Sequence, residues 1–546
     1  MAYTAHIDTF ARDNLPPRSQ WPALVFERPE LQYPARLNCA AELLDRMVAA
    51  GHGERPALWA PVAGRPLACT YRQLLAQANR IARVLGEELG MVPGNRVLLR
   101  GPNNPMMAAC WLGIVKAGGI VVATMPLLRA KELTQIAVKA RCNFALCDAR
   151  LLEELERARP DCPDLKRIVA FNGDPGQPGD GPACLEALLE DKPDTFDNVD
   201  TAADDVALIA FTSGTTGQPK GTMHFHRDVM AMCDAFPRSV LKPCAQDIFC
   251  GTPPLAFTFG LGGLLCFPLR FGASTVLVEK LTPETLLQTI RDFGATICFT
   301  APTFWRQMAP LAAAGGIGQL KKCVSAGEAL PDATRQLWKQ ATGIELIDGI
   351  GATEMLHIFI SSPPEEVRRG AIGRVVPGYR ARIVDDDGRP LPPGRVGRLA
   401  VQGPTGCRYL ADPRQSQYVH NGWNLTGDAF MMDADGYFYY QARTDDMIVS
   451  AGYNIAGPEV ESALLAHPAV AECGVVGVAD AERGQIVKAF VVLREGYAAS
   501  AALVRELQDF VKSAIAPYKY PRAIEFVDAL PRTETGKLQR FRLRQG

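Results

Sequence analysis

Thr212-Ser213-Gly214-Thr215-Thr216-Gly217-Gln218-Pro219-Lys220-Gly221 comes directly after the apolar run Val206-Ala207-Leu208-Ile209-Ala210-Phe211. The apolar run has strand length, and the stretch after it crowds glycines, hydroxyls and one lysine together. Glycines let backbone N–H groups turn toward an anion, hydroxyls add donors, and the lysine adds charge. A surface turn needs glycine and proline too, yet it does not need hydroxyl pairs on both sides of Gly214. A strand running into such a loop predicts a polyphosphate site at the carboxyl end of a sheet. The spacing excludes a Walker loop, in which the lysine directly follows the second glycine and precedes Ser or Thr. Here Gln218 and Pro219 intervene and Gly221 comes next.

Outward from this loop, strands and helices alternate. Tyr71 to Gly86 and Met106 to Ala117 read as helices, and Arg96 to Leu99 and Gly119 to Ala123 as strands. Strands at Ile297–Thr300, Lys322–Ser325 and Glu345–Ile347 are interleaved with helices from Phe304 and Asp332. This alternation predicts an α/β fold of parallel sheets covered by helices, with ligands at the carboxyl ends of the strands. Beyond about residue 370 short alternating strands and Asp-Gly turns predict a β-rich subdomain. A texture shift at Arg443-Thr444-Asp445-Asp446 sets off a smaller α+β unit with strands at Glu472–Val478 and Lys488–Leu493 and helices at Pro458–Ala466 and Leu503–Ala514. The expected division is 1–444 and 445–546.

The 546 residues exceed one ordinary core. With 47% hydrophobic and 21% charged residues and a net charge of −1, the composition is that of a globular chain and gives no support for a nucleic-acid partner. Fifteen cysteines occur singly, without a C-x-x-C pair, which argues for reduced thiols rather than disulfides or structural zinc. Met1 to His6 shows no signal segment, and the apolar stretch Pro254–Leu269, broken by Gly260, Gly262, Gly263 and Pro268, reads as core and pocket wall, not a membrane span. The expected location is the cytoplasm.

Several further stretches fall in an order that resembles the adenylate-forming (acyl-CoA synthetase) superfamily. These are Ala326-Gly327-Glu328-Ala329-Leu330, Asp348-Gly349-Ile350-Gly351-Ala352-Thr353-Glu354, Thr426-Gly427-Asp428, Gly436 to Arg443, and Arg532-Thr533-Glu534-Thr535-Gly536-Lys537. The resemblance covers nearly the whole chain, from Thr70 to Lys537. It implies a nucleotide site in which Thr212, Ser213, Gly214, Thr215, Thr216 and Lys220 clamp pyrophosphate, while Gly327, Glu328, Ala329, Asp348, Gly349, Ile350 and Gly351 border adenine. In this scheme Thr353 touches the α-phosphate, Glu354 holds Mg²⁺, Asp428 serves the ribose, and Arg443, which continues that match, is also nucleotide-binding. Lys537 is implied as the lysine that neutralises charge during adenylation. Ile350 departs from the aromatic usual in relatives, and Ala442 from the usual glycine.

The resemblance also implies ATP, Mg²⁺ and coenzyme A as cofactors, and a small, mobile C-terminal domain turning about a hinge at Asp445. That rotation would bring Gly452 to the pantetheine arm. Asp348 to Phe359 is similar to the benzoate–CoA ligase branch, including 2-aminobenzoate enzymes, where Phe257, Thr258, Phe259, His357 and Ile358 would border an aromatic ring. Two other readings stand beside an aryl-acid–CoA ligase: an enzyme that loads an aryl acid onto a carrier protein, and a catalytically silent nucleotide-binding protein. A monomer and a homodimer are both compatible with the sequence.

Overall fold

The computed structural model describes residues 3–62, 65–173, 183–212, 219–443, 446–450, 453–480, 483–515, 517–532 and 538–544. Two large sheets carry the first three quarters of the chain. One has seven described strands, and its central members Arg96–Arg100, Ile120–Thr124, Phe144–Asp148 and Val206–Thr212 run parallel. At its edge Val206–Thr212 turns back through an antiparallel pairing with Lys220–Phe225, which aligns Thr212 with Lys220. The other has nine described strands, with Ile248–Gly251, Ile297–Thr300, Lys322–Ser325 and Leu346–Gly351 parallel and Ile358–Ser361 antiparallel at one end.

Local chemistry fixes where the covering helices begin. Thr70 and Gln73 form a reciprocal capping box at the start of Tyr71–Arg83, satisfying two donors that a helix N-terminus leaves open. Asn104 caps Pro105–Lys116, with Pro105 at the first position, where its missing N–H costs nothing. The first helix ends earlier than its apolar spacing predicts: after Arg83 the chain widens into a looser turn over Val84–Glu88. Helices Pro302–Gly315 and Asp332–Thr342 cover one face of the nine-stranded sheet. There Trp305 and Trp338 meet at 4.7 Å, both fully buried.

The β-rich region appears as predicted, a five-stranded antiparallel sheet that includes Arg380–Val384, Val396–Gln402, Trp423–Met432 and Phe438–Arg443. Beyond it lies a second five-stranded sheet, built on the long pair Val470–Asp480 and Gly484–Leu493, with helices Gly457–Leu465 and Ala501–Ala514 against it and its own core. This C-terminal sheet is tied to the nine-stranded sheet at two points. Arg306 donates to the carbonyls of Leu465, Val470 and Ala471 at 3.1–3.2 Å. Arg532 bridges Glu328 at 3.1 Å and Glu472 at 2.7 Å. No helix among the described residues is long and apolar enough to cross a membrane.

Candidate active site

The candidate residues gather where strands of both large sheets end. The strand Lys322–Ser325 runs out into Gly327, whose φ of +91° a side chain would strain, and into Glu328. Glu328 accepts from Thr303 and from Arg532. Gly327 and Ala329 are exposed, leaving a flat backbone surface. The neighbouring strand Leu346–Gly351 delivers Asp348 to Gly351, and a single turn of 3-10 helix, Thr353–Met355, comes after it.

Asp348 is buried, and its carboxylate meets the Gly349 N–H at 3.0 Å and Arg335 only at 3.9 Å. Burial outweighs the arginine and pushes its pKa up to about 7. The folded state therefore holds this proton well above the pH at which the unfolded chain releases it. The contribution of Asp348 to stability falls as pH rises from about 4 to 7 and levels off above, with a slope reaching about 1.4 kcal/mol per pH unit. Asp348→Asn is expected to remove that fall. Unfolding of the nucleotide-free protein at pH 5 and pH 8 tests it: a variant whose stability still drops as steeply as the parent's contradicts the assignment. Ile350 pairs with Ile360 and packs against the core.

The turn Thr353–Met355 is held at three successive residues. His224 Nε2 donates to the Thr353 carbonyl at 2.8 Å, Tyr409 Oη donates to Glu354 Oε1 at 2.6 Å, and Thr405 Oγ1 donates to the Met355 carbonyl at 2.7 Å. Thr405 in turn accepts from Tyr379. Lys220, half-buried on the strand that also carries His224, lies 3.4 Å from Tyr409 Oη. Behind these contacts lies a fully buried ion pair between Arg408 and Asp228. Sequence reasoning missed His224, Tyr409 and Thr405. The spacing of Lys220, Thr222 and His224, alternate residues on one strand, is the signal that could have drawn attention to His224.

Asp428 sits mid-strand in Trp423–Met432 after Gly427, whose φ is +78°. It is buried, which raises its pKa, and it accepts from Arg443 at 3.3 Å across the paired strand. Tyr418 packs edge-on against Tyr409, 5.8 Å between centroids, and its buried hydroxyl has no partner among the described residues.

A second group of predicted residues surrounds a packed aromatic cluster. His357 is enclosed by Phe267 at 4.5 Å, Phe259 at 5.6 Å and Phe236 at 5.9 Å, ring centre to ring centre. Gly262 permits this packing, since a Cβ there would stand 2.4 Å from the imidazole. Burial lowers the His357 pKa to about 3, so the ring is neutral. Its Nε2 faces the Phe259 carbonyl at 3.4 Å, which only accepts, so Nε2 carries the proton. Nδ1 is then a bare acceptor, buried and without a partner among the described residues. Ile358 is buried beside it, Thr258 is buried, and Phe257 is half-buried at the start of helix Thr258–Leu261. Phe257 and Thr258 also line an apolar cavity with Trp111, Ala123, Ala210 and Leu255.

Ser213, Gly214, Thr215, Thr216, Asp445, Gly452 and Lys537 lie outside the described residues. Around the last, Arg532 is bonded to Glu328 and forms a β-bridge with Leu538. As for a divalent ion, Glu354 presents one carboxylate whose Oε1 is taken by Tyr409, while no described residue bonds Oε2. That donor set fits Mg²⁺ carried in by a polyphosphate better than a closed protein cage.

The profile of the family described as AMP-binding enzyme matches residues 46–409, and that of the AMP-binding enzyme C-terminal domain matches 459–537. The chain is 36% identical over 522 residues to the benzoate–CoA ligase of Thauera aromatica, covering 94% of this chain and 97% of that one. It is 33% identical over 519 residues to the 4-hydroxybenzoate–CoA/benzoate–CoA ligase of Rhodopseudomonas palustris, covering 93% and 94%. Among solved structures, the anthranilate CoA ligase AuaEII in complex with anthranoyl-AMP superposes with a TM-score of 0.89 at 35% identity, covering 95% and 98%. A benzoate CoA ligase from Burkholderia xenovorans LB400 gives 0.84 at 31%, covering 93% and 100%. The chain belongs to the AMP-binding enzyme family of the adenylate-forming superfamily, near its benzoate–CoA ligase branch.

Proposed function

We propose that this protein, by family an AMP-forming acid–CoA ligase that uses ATP and coenzyme A, activates an aromatic carboxylic acid of the benzoate or 2-aminobenzoate type. The observation that carries the reading is the enclosed His357, neutral and offering a bare Nδ1 inside a box of phenylalanines. A flat apolar ring suits these apolar walls, and an amino group on it that reached Nδ1 would find one acceptor. Relatives named for benzoate and anthranilate support the same substrate class.

The chemistry runs in two steps. A carboxylate oxygen forms a bond to the α-phosphorus of ATP while the bond to the bridging oxygen breaks and pyrophosphate leaves. A CoA thiolate then forms a C–S bond to the carbonyl carbon while that carbon's bond to the phosphate-linked oxygen breaks, and AMP leaves with that oxygen. In this reading Thr212 to Lys220 hold the departing pyrophosphate, Thr353 contacts the α-phosphate, and Asp428 and Arg443 hold the ribose. Gly327 to Ala329 and Asp348 to Gly351 border the adenine. Glu354 would hold Mg²⁺, which when bound offsets phosphate charge. Lys537 neutralises charge in the first step only, which calls for the segment 445–546 to turn about Asp445 before Gly452 can meet the pantetheine arm. Fifteen free cysteines support a reducing, cytoplasmic setting.

A panel of aryl and short aliphatic acids, read by AMP release with CoA present, tests the assignment. Benzoate or 2-aminobenzoate is expected to exceed the aliphatic acids by at least about tenfold in kcat/KM. His357→Leu is expected to lower kcat/KM for 2-aminobenzoate about tenfold more than for benzoate, since only the amine loses a partner. Aliphatic acids leading the panel would refute the substrate class, and adenylate formation without thioester would favour the carrier-loading enzyme.

A further inference from the structure

We propose that Tyr409 is a positioning residue that stands between Lys220 and Glu354, keeping them apart and turning the free carboxylate oxygen of Glu354 toward the metal. The inference rests on the reading of Glu354 as the residue that holds Mg²⁺. Tyr409 Oη donates to Glu354 Oε1 at 2.6 Å and accepts from Lys220 Nζ at 3.4 Å, so a single hydroxyl bridges a carboxylate and an ammonium. The phenol is itself fully buried. Its backbone is fixed by the pairing with Thr222 and by the Tyr409 N–H donating to Gln415 at 2.8 Å.

Two features make this hydroxyl decisive. First, the backbone on either side of Glu354 is already fixed by His224 and Thr405. Only side-chain rotation remains, and the Tyr409 bond at Oε1 determines it, leaving Oε2 for the ion. Second, a lysine and a glutamate this close would otherwise pair directly. Direct pairing would spend the charge of Lys220, needed on phosphate, and that of Glu354, needed on the metal.

The test measures Mn²⁺, used in place of Mg²⁺, binding to protein saturated with α,β-methylene-ATP, which cannot release pyrophosphate. Electron paramagnetic resonance of free Mn²⁺ provides the readout. Tyr409→Phe is expected to weaken the metal about tenfold, the size of one hydrogen bond to a charged group. Glu354→Gln is expected to weaken it at least as much, and the double variant no more than Glu354→Gln alone. In turnover, added Mg²⁺ is expected to restore Tyr409→Phe toward the parent rate, which a purely structural defect would not allow. Tyr409→His, whose ring nitrogen stops short of the position of the phenol oxygen, is expected to weaken Mn²⁺ about as much as Tyr409→Phe, and it serves should the phenylalanine variant fail to fold. Tyr409→Phe binding Mn²⁺ like the parent while Glu354→Gln does not would overturn the role of Tyr409 alone. Unchanged binding by Glu354→Gln would overturn the role of Glu354 as well.

Discussion

Lys537→Ala is expected to cut adenylate formation, measured by pyrophosphate exchange, by about a hundredfold or more. Thioester formation from supplied acyl-adenylate and CoA should stay within about threefold of the parent. The asymmetry follows from charge. Attack on the α-phosphorus builds negative charge on phosphate oxygens, and a positioned ammonium lowers that barrier. Thiolate attack on a carbonyl places new charge elsewhere, so the same ammonium has no task there. The flanks of the segment support the first arrangement: Arg532 is bonded to Glu328, at the end of a strand that borders the proposed adenine site, and Leu538 is bridged to Arg532. Arg306, clasping two carbonyls of the C-terminal sheet and one at the end of the helix against it, adds a second tie in the same arrangement. Both ties must break before that sheet can turn. Equal loss of both half-reactions in Lys537→Ala would contradict the two-position mechanism.

The parts of this site that were legible in the sequence are those whose signal is local. A glycine at a strand end, a hydroxyl-rich loop and an Asp after Thr-Gly each announce themselves within a few residues. The structure places Gly327 and the Thr353–Glu354 turn just past strand ends and Asp428 mid-strand, directly after Gly427 at positive φ. The alternation of strands and helices likewise gave the parallel sheets, because period-2 and period-3.6 patterns are local too. What escaped is held together across long stretches of chain. Tyr409 reaches Glu354 across 55 residues, His224 reaches Thr353 across 129, and Thr405 reaches Met355 across 50. No window of sequence contains both ends of such a contact. The pairing of Lys220–Phe225 back onto Val206–Thr212 was similarly hidden, since the glycine- and hydroxyl-rich sequence between them drew the reading toward a phosphate site. The capping pair at Thr70 and Gln73 marks one helix start, and the start at Asp332 and the end at Ala514 were legible too, whereas the end at Arg83 was not.

Asp428→Ala is expected to lower kcat/KM for ATP at least about a hundredfold, because two ribose hydroxyls would each lose a hydrogen bond to a charged acceptor. Unlike Lys537→Ala, it should impair both half-reactions, since the AMP portion stays in the site through both. The loss has a structural component to separate: Arg443 is bonded to Asp428 at 3.3 Å and to the Thr426 carbonyl at 3.2 Å, and the substitution removes the first of these bonds. Substrate chemistry makes that separation. ATP and 2′-deoxy-ATP form a cycle with the parent and the Asp428→Ala variant. In the parent, removing the 2′-hydroxyl should cost about tenfold. In the variant the same removal should cost almost nothing, because the acceptor is already gone. If 2′-deoxy-ATP is penalised equally in both proteins, Asp428 does not touch that hydroxyl, and the variant's defect belongs to the Arg443 contact instead. Burial raises the Asp428 pKa, so the parent's preference for ATP over 2′-deoxy-ATP should also weaken as the pH is lowered toward the carboxyl range, where the group gains its proton and ceases to accept at both oxygens. A preference that holds constant through that range would assign ribose recognition to a group other than Asp428.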